Sequence, residues 1–351
     1  MDSFEKESKL RARRAAGRAA RQAKLQLIVL IVLFLSVLHF RRMESIDRSI
    51  AVVKKKKMTA MCAIVVNEEM YIDEFVDYHR ALGFDHFIFF DNSDNSELKQ
   101  WGKIKGDDVW VIPFPGIARQ LEAYKHCVQI VAKEAKEANR PFEWVAFFDV
   151  DEYLVLKQHD HIADMLEQHC SSGSLLVNWY VFRSDGWNLP TREPVTRRFL
   201  YREATVNQHV KTIARVQDIA ETKLHSDPHN FVQLKNQTFH HDSSGNPVVG
   251  PFNMNGPTDV VVLHHYNTKS HKEYLLKRMR GRATTGRVDL VRQLVQDAQA
   301  KLNRSLASDS LPRNNNTTFD KVFDDSAWKF LKEKVPAYAL FDEIGLLSAS
   351  K

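Results

Sequence analysis

Continuous apolar runs and amphipathic stretches alternate through the first half of the chain. MTAMCAIVV (Met58 to Val66) reads as a strand buried on both faces. After it, Ile72, Phe75, Val76, His79 and Leu82 fall on one helical stripe, and Gly83 is the natural stop. HFIFF (His86 to Phe90), VWVIP (Val109 to Pro113) and the run from Trp144 to Phe148 predict three more strands. Between the last two, a helix from Ile117 carries Leu121, Tyr124, Val128, Val131 and Ala135 on one face. Strands alternating with amphipathic helices predict an α/β fold with a parallel sheet. The second half is mixed. Leu175 to Phe182 and Val260 to Leu263 read as strands, the latter ending in His264, His265 and Tyr266. Ser270 to Glu273 has the form of a capping box opening a helix with Tyr274, Leu275, Lys277 and Arg278. Trp328, Phe330 and Leu331 mark a packing helix near the end, after the polar loop NNNTT.

In a parallel α/β sheet, ligands sit at the carboxyl ends of the strands. The polar residues there are Asn67 and Glu68, Asp91 and Asn92, and Asp149 to Glu152 within FFDVDEYL. All should converge on one rim. In an extended chain alternate residues share a face, which would aim Asp149 and Asp151 the same way. Two carboxylates at a strand end suit a hard divalent cation, which can hold a diphosphate and help it leave. The competing reading is a solvated acidic turn after a core strand.

Charge narrows the partner class. Residues 1–57 hold 15 Lys and Arg against 5 Asp and Glu, so of 50 basic and 44 acidic residues the remainder keeps 35 and 39. A mildly acidic globular part argues against a nucleic-acid polymer, which needs a basic face on the domain itself. The basic excess flanks Leu25 to Phe40, an almost wholly apolar stretch. Its 16 residues fall short of the roughly 20 of a full span, but flanking Arg and Lys can snorkel and a thin bilayer accommodates it. The favoured reading is an uncleaved signal-anchor: residues 1–24 a cytoplasmic tail, 25–40 the membrane span, 41–57 a stem, and the rest lumenal. A cleaved signal peptide competes, although His39-Phe40-Arg41-Arg42 fits a cleavage site poorly; a buried or interfacial helix is the third reading. Sequons at Asn236, Asn303, Asn315 and Asn316 agree with a lumenal domain. Cys62, Cys127 and Cys170 allow one internal disulfide and leave one thiol over.

Five segments, in order, carry a family resemblance: NEEMYIDEFVDYHRALGFDHFIFFDNSD (Asn67 to Asp94), RQLEAYKHC (Arg119 to Cys127), WVAFFDVDEYL (Trp144 to Leu154), VNWYVFRSDGW (Val177 to Trp187) and HHYNTKSHKEYLLKRMRGRA (His264 to Ala283). Together they resemble glycosyltransferase family 92. The resemblance implies a GT-A fold: a Rossmann-like nucleotide-diphospho-sugar transferase sheet with helices on both faces, here over residues 58–285. Residues 286–351 would be a C-terminal helical extension. It further implies an inverting transferase that favours Mn2+ over Mg2+ and moves a galactose-type sugar from a nucleotide-sugar donor, UDP-sugar favoured, to a glycan acceptor; the signal-anchor with its basic flank gives the Golgi membrane as the expected location.

Residue by residue, the resemblance assigns Asp149 and Asp151 to metal and donor, and His265 to the late histidine that completes the metal site. Asn67 and Glu68 match the loop beside the nucleotide. Two segments depart from the family pattern: Val66-Asn67-Glu68 stands where Arg-Asn-Glu is usual, and Arg183-Ser184-Asp185-Gly186 where Gly-Ser-Ser-Gly is common. The first bears on a phosphate or base contact, the second on acceptor choice. Asp91 is a candidate nucleoside contact, and Lys269 or Lys211 a diphosphate contact. An inverting transfer needs a carboxylate to take the acceptor proton. Asp185 is the nominee, with Asp242 and Glu221 as alternatives. Trp187 is a candidate sugar-stacking ring, and His264 the rival of His265. A tethered carbohydrate-binding protein without turnover is the other functional class.

Overall fold

The computed structural model describes residues 58–93, 97–137, 142–224, 226–235, 238–279 and 320–343, together with Ser36. The expected span at 25–40 (Ser36 apart) and the asparagines of all four sequons lie outside the described residues. Among the described residues no helix is long and apolar enough to cross a membrane.

The chain runs β1 (Met58–Val65), α1 (Ile72–Leu82), β2 (His86–Asp91), α2 (Glu97–Lys105), β3 (Val109–Pro113), α3 (Gln120–Glu137), β4 (Phe142–Phe147) and β5 (Glu152–Leu156). It continues through α4 (Ile162–His169), β6 (Ser174–Val181), α5 (Val195–Arg198), β7 (Tyr201–Glu203), β8 (Asn207–Arg215), β9 (Ile219–Leu224), β10 (Val232–Leu234), β11 (His240–His241) and β12 (Val261–His265). Last come α6 (His271–Met279), β13 (Lys321–Phe323) and α7 (Ser326–Lys334). The main sheet has the order β3-β2-β1-β4-β8-β6-β12-β5, with β11 added alongside β6.

The predicted parallel sheet is found in the first half: β1 pairs with β2 and β4, and β2 with β3, all parallel. It does not extend across the whole sheet. β8 inserts antiparallel between β4 and β6, and β5 closes the far edge antiparallel to β12. Because β8 opposes both neighbours and β12 runs parallel to β6, strands β1, β2, β3, β4, β6 and β12 all end on one edge. The amino ends of β5 and β8 reach that same edge.

Side-chain alternation along β1 splits the core into two layers. Met61, Ala63 and Val65 pack with α1, α4 and α7 on one face; Ala60 and Cys62 pack with α3 on the other. Helices therefore cover both faces, and near-continuous apolar strands follow from that double burial. Helix α1 ends at Gly83, whose φ of 103° places it in the left-handed region where a side chain is strained. An added Cβ there would also strike the His161 ring. His79 is a core residue: Nδ1 lies 2.8 Å from the Phe75 carbonyl, and Leu154 N donates to Nε2 at 3.3 Å. Burial brings its pKa down to about 3. Helix α3 starts at Gln120, three residues after Ile117, because Gly116 and Ala118 both have positive φ and cannot continue a helix.

Cys62 on β1 and Cys127 on α3 form a disulfide, leaving Cys170 buried and free. The C-terminal helix packs on the core, as Trp328, Phe330 and Leu331 led one to expect. Trp328 and Leu331 of α7 are buried, Phe330 packs on Tyr78 at 5.0 Å, and Tyr338 donates to Asp77 at 3.1 Å.

Candidate active site at the carboxyl edge of the sheet

The residues after β4 form a turn, not an extended segment: Glu152 N donates to the Asp149 carbonyl at 3.0 Å. Asp149 and Asp151 are therefore not related by strand alternation, contrary to expectation, and their carboxylates take different partners. Asp149 accepts from Lys211 Nζ at 2.8 Å and from Gln120 Nε2 at 3.2 Å. Asp151 accepts from Lys277 Nζ, and its other oxygen lies 3.6 Å from His265 Nε2. Glu152, wholly buried, lies 3.3 Å from Lys211 and 3.9 Å from His265.

Three carboxylates and two ammonium groups thus share one small volume. Burial alone would raise the Asp151 pKa, but Lys277 and then His265 overcome it and hold the carboxyl well below its ordinary range. Asp149 is likewise lowered, against its burial, by Lys211. Glu152 behaves oppositely. Burial dominates, Lys211 offsets it only in part, and the carboxyl is pushed up to about 7. Lys211 and Lys277 are raised in turn, because the carboxylates outweigh the burial that would strip their protons.

His265 and His264 face opposite ways, since β12 extends through both. His265 points to Asp151. His264 is fully buried against Phe182, and burial brings its pKa down to about 4. It is therefore neutral despite lying 3.6 Å from Asp324.

The other expected residues gather on the same rim in two pairs. Asn67, at φ 52°, donates its backbone N–H to Ser93 Oγ at 3.0 Å, and Ser93 N donates to Asp91 Oδ1 at 3.0 Å. Ser93 thus ties the loop after β1 to the end of β2. Lys269, also with positive φ, donates to Glu68 at 3.4 Å and sits 3.8 Å above the Tyr71 ring. Asn92 instead braces the sheet end, donating to the Phe114 and Gly116 carbonyls at 2.7 and 2.8 Å. Asp185 stands beyond the end of β6 in an ion pair with Lys321, which ties it to the C-terminal segment rather than to Asp151. Trp187 is half-buried and packs against the core.

The predicted capping box is present: Ser270 N donates to Glu273 at 2.8 Å and Glu273 N to Ser270 Oγ at 3.3 Å. Glu273 does more than cap. Buried Arg198 grips it with two bonds of 3.1 Å, Tyr71 donates to it, and its pKa falls to about 2, with Arg198 prevailing over burial. This anchors α6, and so Lys277, to the body of the fold.

An aromatic row leads outward from His265. Trp179 meets it edge-on at 5.0 Å, His209 stacks on Trp179 at 5.4 Å, and half-exposed Phe252 meets His209 at 4.7 Å. His229 flanks the row at 5.2 Å from His209. None of Lys277, Trp179, His209 or Phe252 stood out as a site residue in the sequence. His209 precedes Lys211 by two positions on β8, so a strand assignment there would have put both on one face.

The donor set fits a divalent cation in part. Among the described residues no three His, Cys, Asp or Glu side chains are gathered as a finished cage. Asp151 and His265 do approach each other, and beside them Glu152 Oε1 is buried without a hydrogen-bond partner. Two protein ligands completed by phosphate oxygens and water are usual for small divalent cations at phosphate sites.

A family model for glycosyltransferase family 92 matches residues 57–306. The chain is 23% identical over 245 residues to a family 92 protein of Arabidopsis thaliana, covering 66% of this chain and 39% of that one. It is 22% identical over 168 residues to a rice family 92 protein, covering 46% and 27%. A Ricinus communis family 92 protein matches at 23% over 221 residues, covering 58% and 34%. The chain spans well under half the length of these relatives. A family match that takes in every strand of the main sheet, the Asp151–His265 pair and helix α6 shows that the chain belongs to glycosyltransferase family 92.

Proposed function

We propose that this chain is a GT-A-type glycosyltransferase that moves a sugar, galactose-type favoured, from a UDP-sugar to a glycan acceptor with inversion. The observation that carries the reading is Asp151, held between His265 and Lys277 at the carboxyl edge of the sheet. A donor diphosphate needs cationic partners and a metal anchor, and that edge offers both. Asp151 and His265 would hold the cation, with Mn2+ favoured over Mg2+ because an imidazole is in the set. Bound there, it would neutralise the diphosphate and so assist its departure.

The remaining roles belong to the chain's own side chains. Lys211 keeps Asp149 ionised and oriented, leaving Asp149 its partly exposed side for donor hydroxyls. Glu68 with Lys269, and Asn67 with Asp91, line the nucleotide side of the rim. The outer end of the row, His209 and half-exposed Phe252, offers an acceptor sugar ring faces suited to its apolar side, with buried Trp179 backing them. Asp185, beyond the end of β6, is the nominated base for the acceptor hydroxyl proton. The stretch 25–40 would anchor the enzyme as a single-pass type II protein of the Golgi membrane, with its domain lumenal.

The test is a nucleotide-sugar hydrolysis screen on the full chain in detergent, with and without Mn2+. Manganese-stimulated release of a nucleoside diphosphate from one donor supports the reading. Glycan or donor binding with no release from any donor would favour the tethered binder instead.

A further inference from the structure

Lys277 lies 126 residues from Asp151 in sequence, yet its ammonium rests on the Asp151 carboxylate. It is fixed there from two directions. Asn267 Oδ1 accepts a second hydrogen bond from it at 3.2 Å, and its helix is rooted by the buried Glu273–Arg198 pair. Asp151 is almost wholly buried, while the Lys277 side chain is one-third exposed, so Lys277 covers Asp151 on its open side. The opposite oxygen faces His265. Any cation shared by Asp151 and His265 must therefore settle beside an ammonium already in place. Two positive centres at that spacing repel, and a second anion beside the site gives the ammonium a better partner than the carboxylate it must share.

We propose, on the reading that the site takes a nucleoside-diphosphate sugar, that Lys277 is an exchangeable counter-cation. Before the donor arrives it neutralises Asp151. When metal and donor bind, it transfers to the donor's diphosphate. The device makes metal alone bind weakly and makes metal and diphosphate bind together. Lys277 thereby opposes one ligand and favours the other. A residue that merely holds the fold would not give that pair of signs.

The experiment uses the whole 351-residue chain in detergent, wild type and Lys277→Gln, with Mn2+ binding followed by electron paramagnetic resonance. UDP, GDP and inorganic pyrophosphate are titrated by calorimetry at saturating Mn2+. Like and opposite charges a few ångströms away typically shift such equilibria by about tenfold or more. Lys277→Gln should therefore bind Mn2+ alone about tenfold tighter, and the diphosphate about tenfold weaker. Lys277→Arg should restore diphosphate affinity to within about threefold of wild type, since it restores the charge. Pyrophosphate separates the diphosphate contact from any contact to the base. Unchanged affinities in Lys277→Gln, or a weakening of both, would overturn the exchange while leaving the donor reading intact. A wild type that binds Mn2+ but none of the three diphosphates would overturn the donor reading, and the exchange with it.

Discussion

Replacing Lys211 by Met tests the electrostatics of the site without touching the proposed metal pair. The substitution keeps an unbranched stem and removes an ammonium whose side chain is 1% exposed, 2.8 Å from Asp149 and 3.3 Å from Glu152. The consequence turns on Glu152, which is 0% exposed and raised by burial from 4.5 to about 7. Because the folded value is the higher one, the native state holds its proton more tightly than the unfolded chain does. That contribution is complete below pH 4.5 and is lost as pH rises to about 7. At about 1.4 kcal/mol per pKa unit it amounts to roughly 3 kcal/mol. Asp149 and Asp151 are shifted down instead, so their contributions fade only below the ordinary carboxylate value of 3.8, outside this window.

Near pH 5.5 Glu152 is protonated with or without Lys211. The variant then loses chiefly the charged hydrogen bond to Asp149, about 1.5–3 kcal/mol. Near pH 8.5 wild-type Glu152 is ionised beside its ammonium. In the variant it must stay charged alone or take up a proton at a cost, and the loss should reach about 3–5 kcal/mol. Urea unfolding at the two pH values measures the difference, which should be about 2 kcal/mol larger at the higher pH. Adding Glu152→Gln to Lys211→Met should flatten the pH dependence. An equal loss at both pH values, or a greater one at pH 5.5, would refute the reasoning.

Cys62→Ser should destabilise the fold by up to about 4 kcal/mol, since the bridge closes a separation of 65 residues. Wild type melted in reductant should approach the variant, and an unchanged melting temperature in both would refute the bridge. His265→Ala should weaken Mn2+ stimulation of donor hydrolysis far more than it lowers the melting temperature. His264→Ala, emptying a fully buried site against Phe182, should cost about 1–3 kcal/mol and leave the Mn2+ requirement in place; the reverse pattern would mean the two histidines are misassigned. Arg198→Met strands Glu273 in a buried pair and should cost about 3–5 kcal/mol by urea unfolding, whereas a loss below about 1 kcal/mol would show that α6 is anchored by other contacts.

Legibility in the sequence followed burial. Strands β1 to β4 announced themselves because both faces are covered, which leaves apolar runs with no polar interruption. β8 (NQHVKTIAR) did not, because two of its buried positions are Lys211 and Thr212, polar residues whose burial depends on partners elsewhere in the chain. That hidden strand is what turns the parallel sheet into a mixed one. β5 went unseen because its first residue, Glu152, closes the acidic run and read as the end of a strand instead of the start of another. The rim residues were legible as polar groups following apolar runs, whereas His264 and His265 stood as rivals until the strand through both turned one to the core and the other to Asp151. The same alternation misled at Asp149 and Asp151, where the chain turns. Lys277 carried a signal only as one of several basic residues on a helix, since its partner is set by tertiary packing.

Asp151 is the residue at which cation and donor would meet. The direct measurement is nucleotide-sugar turnover by Asp151→Asn across a Mn2+ titration, with a melting curve taken on the same preparation. The substitution removes the charge and keeps the shape, and Lys277, one-third exposed, can turn to solvent. Turnover should fall by about a hundredfold or more, several kcal/mol of lost stabilisation, and excess Mn2+ should not restore it. The melting temperature should stay within a few degrees of wild type, about 1 kcal/mol for a domain of this size. Turnover within about threefold of wild type at saturating Mn2+, less than 1 kcal/mol of lost stabilisation, would contradict the assignment of this edge as the active site.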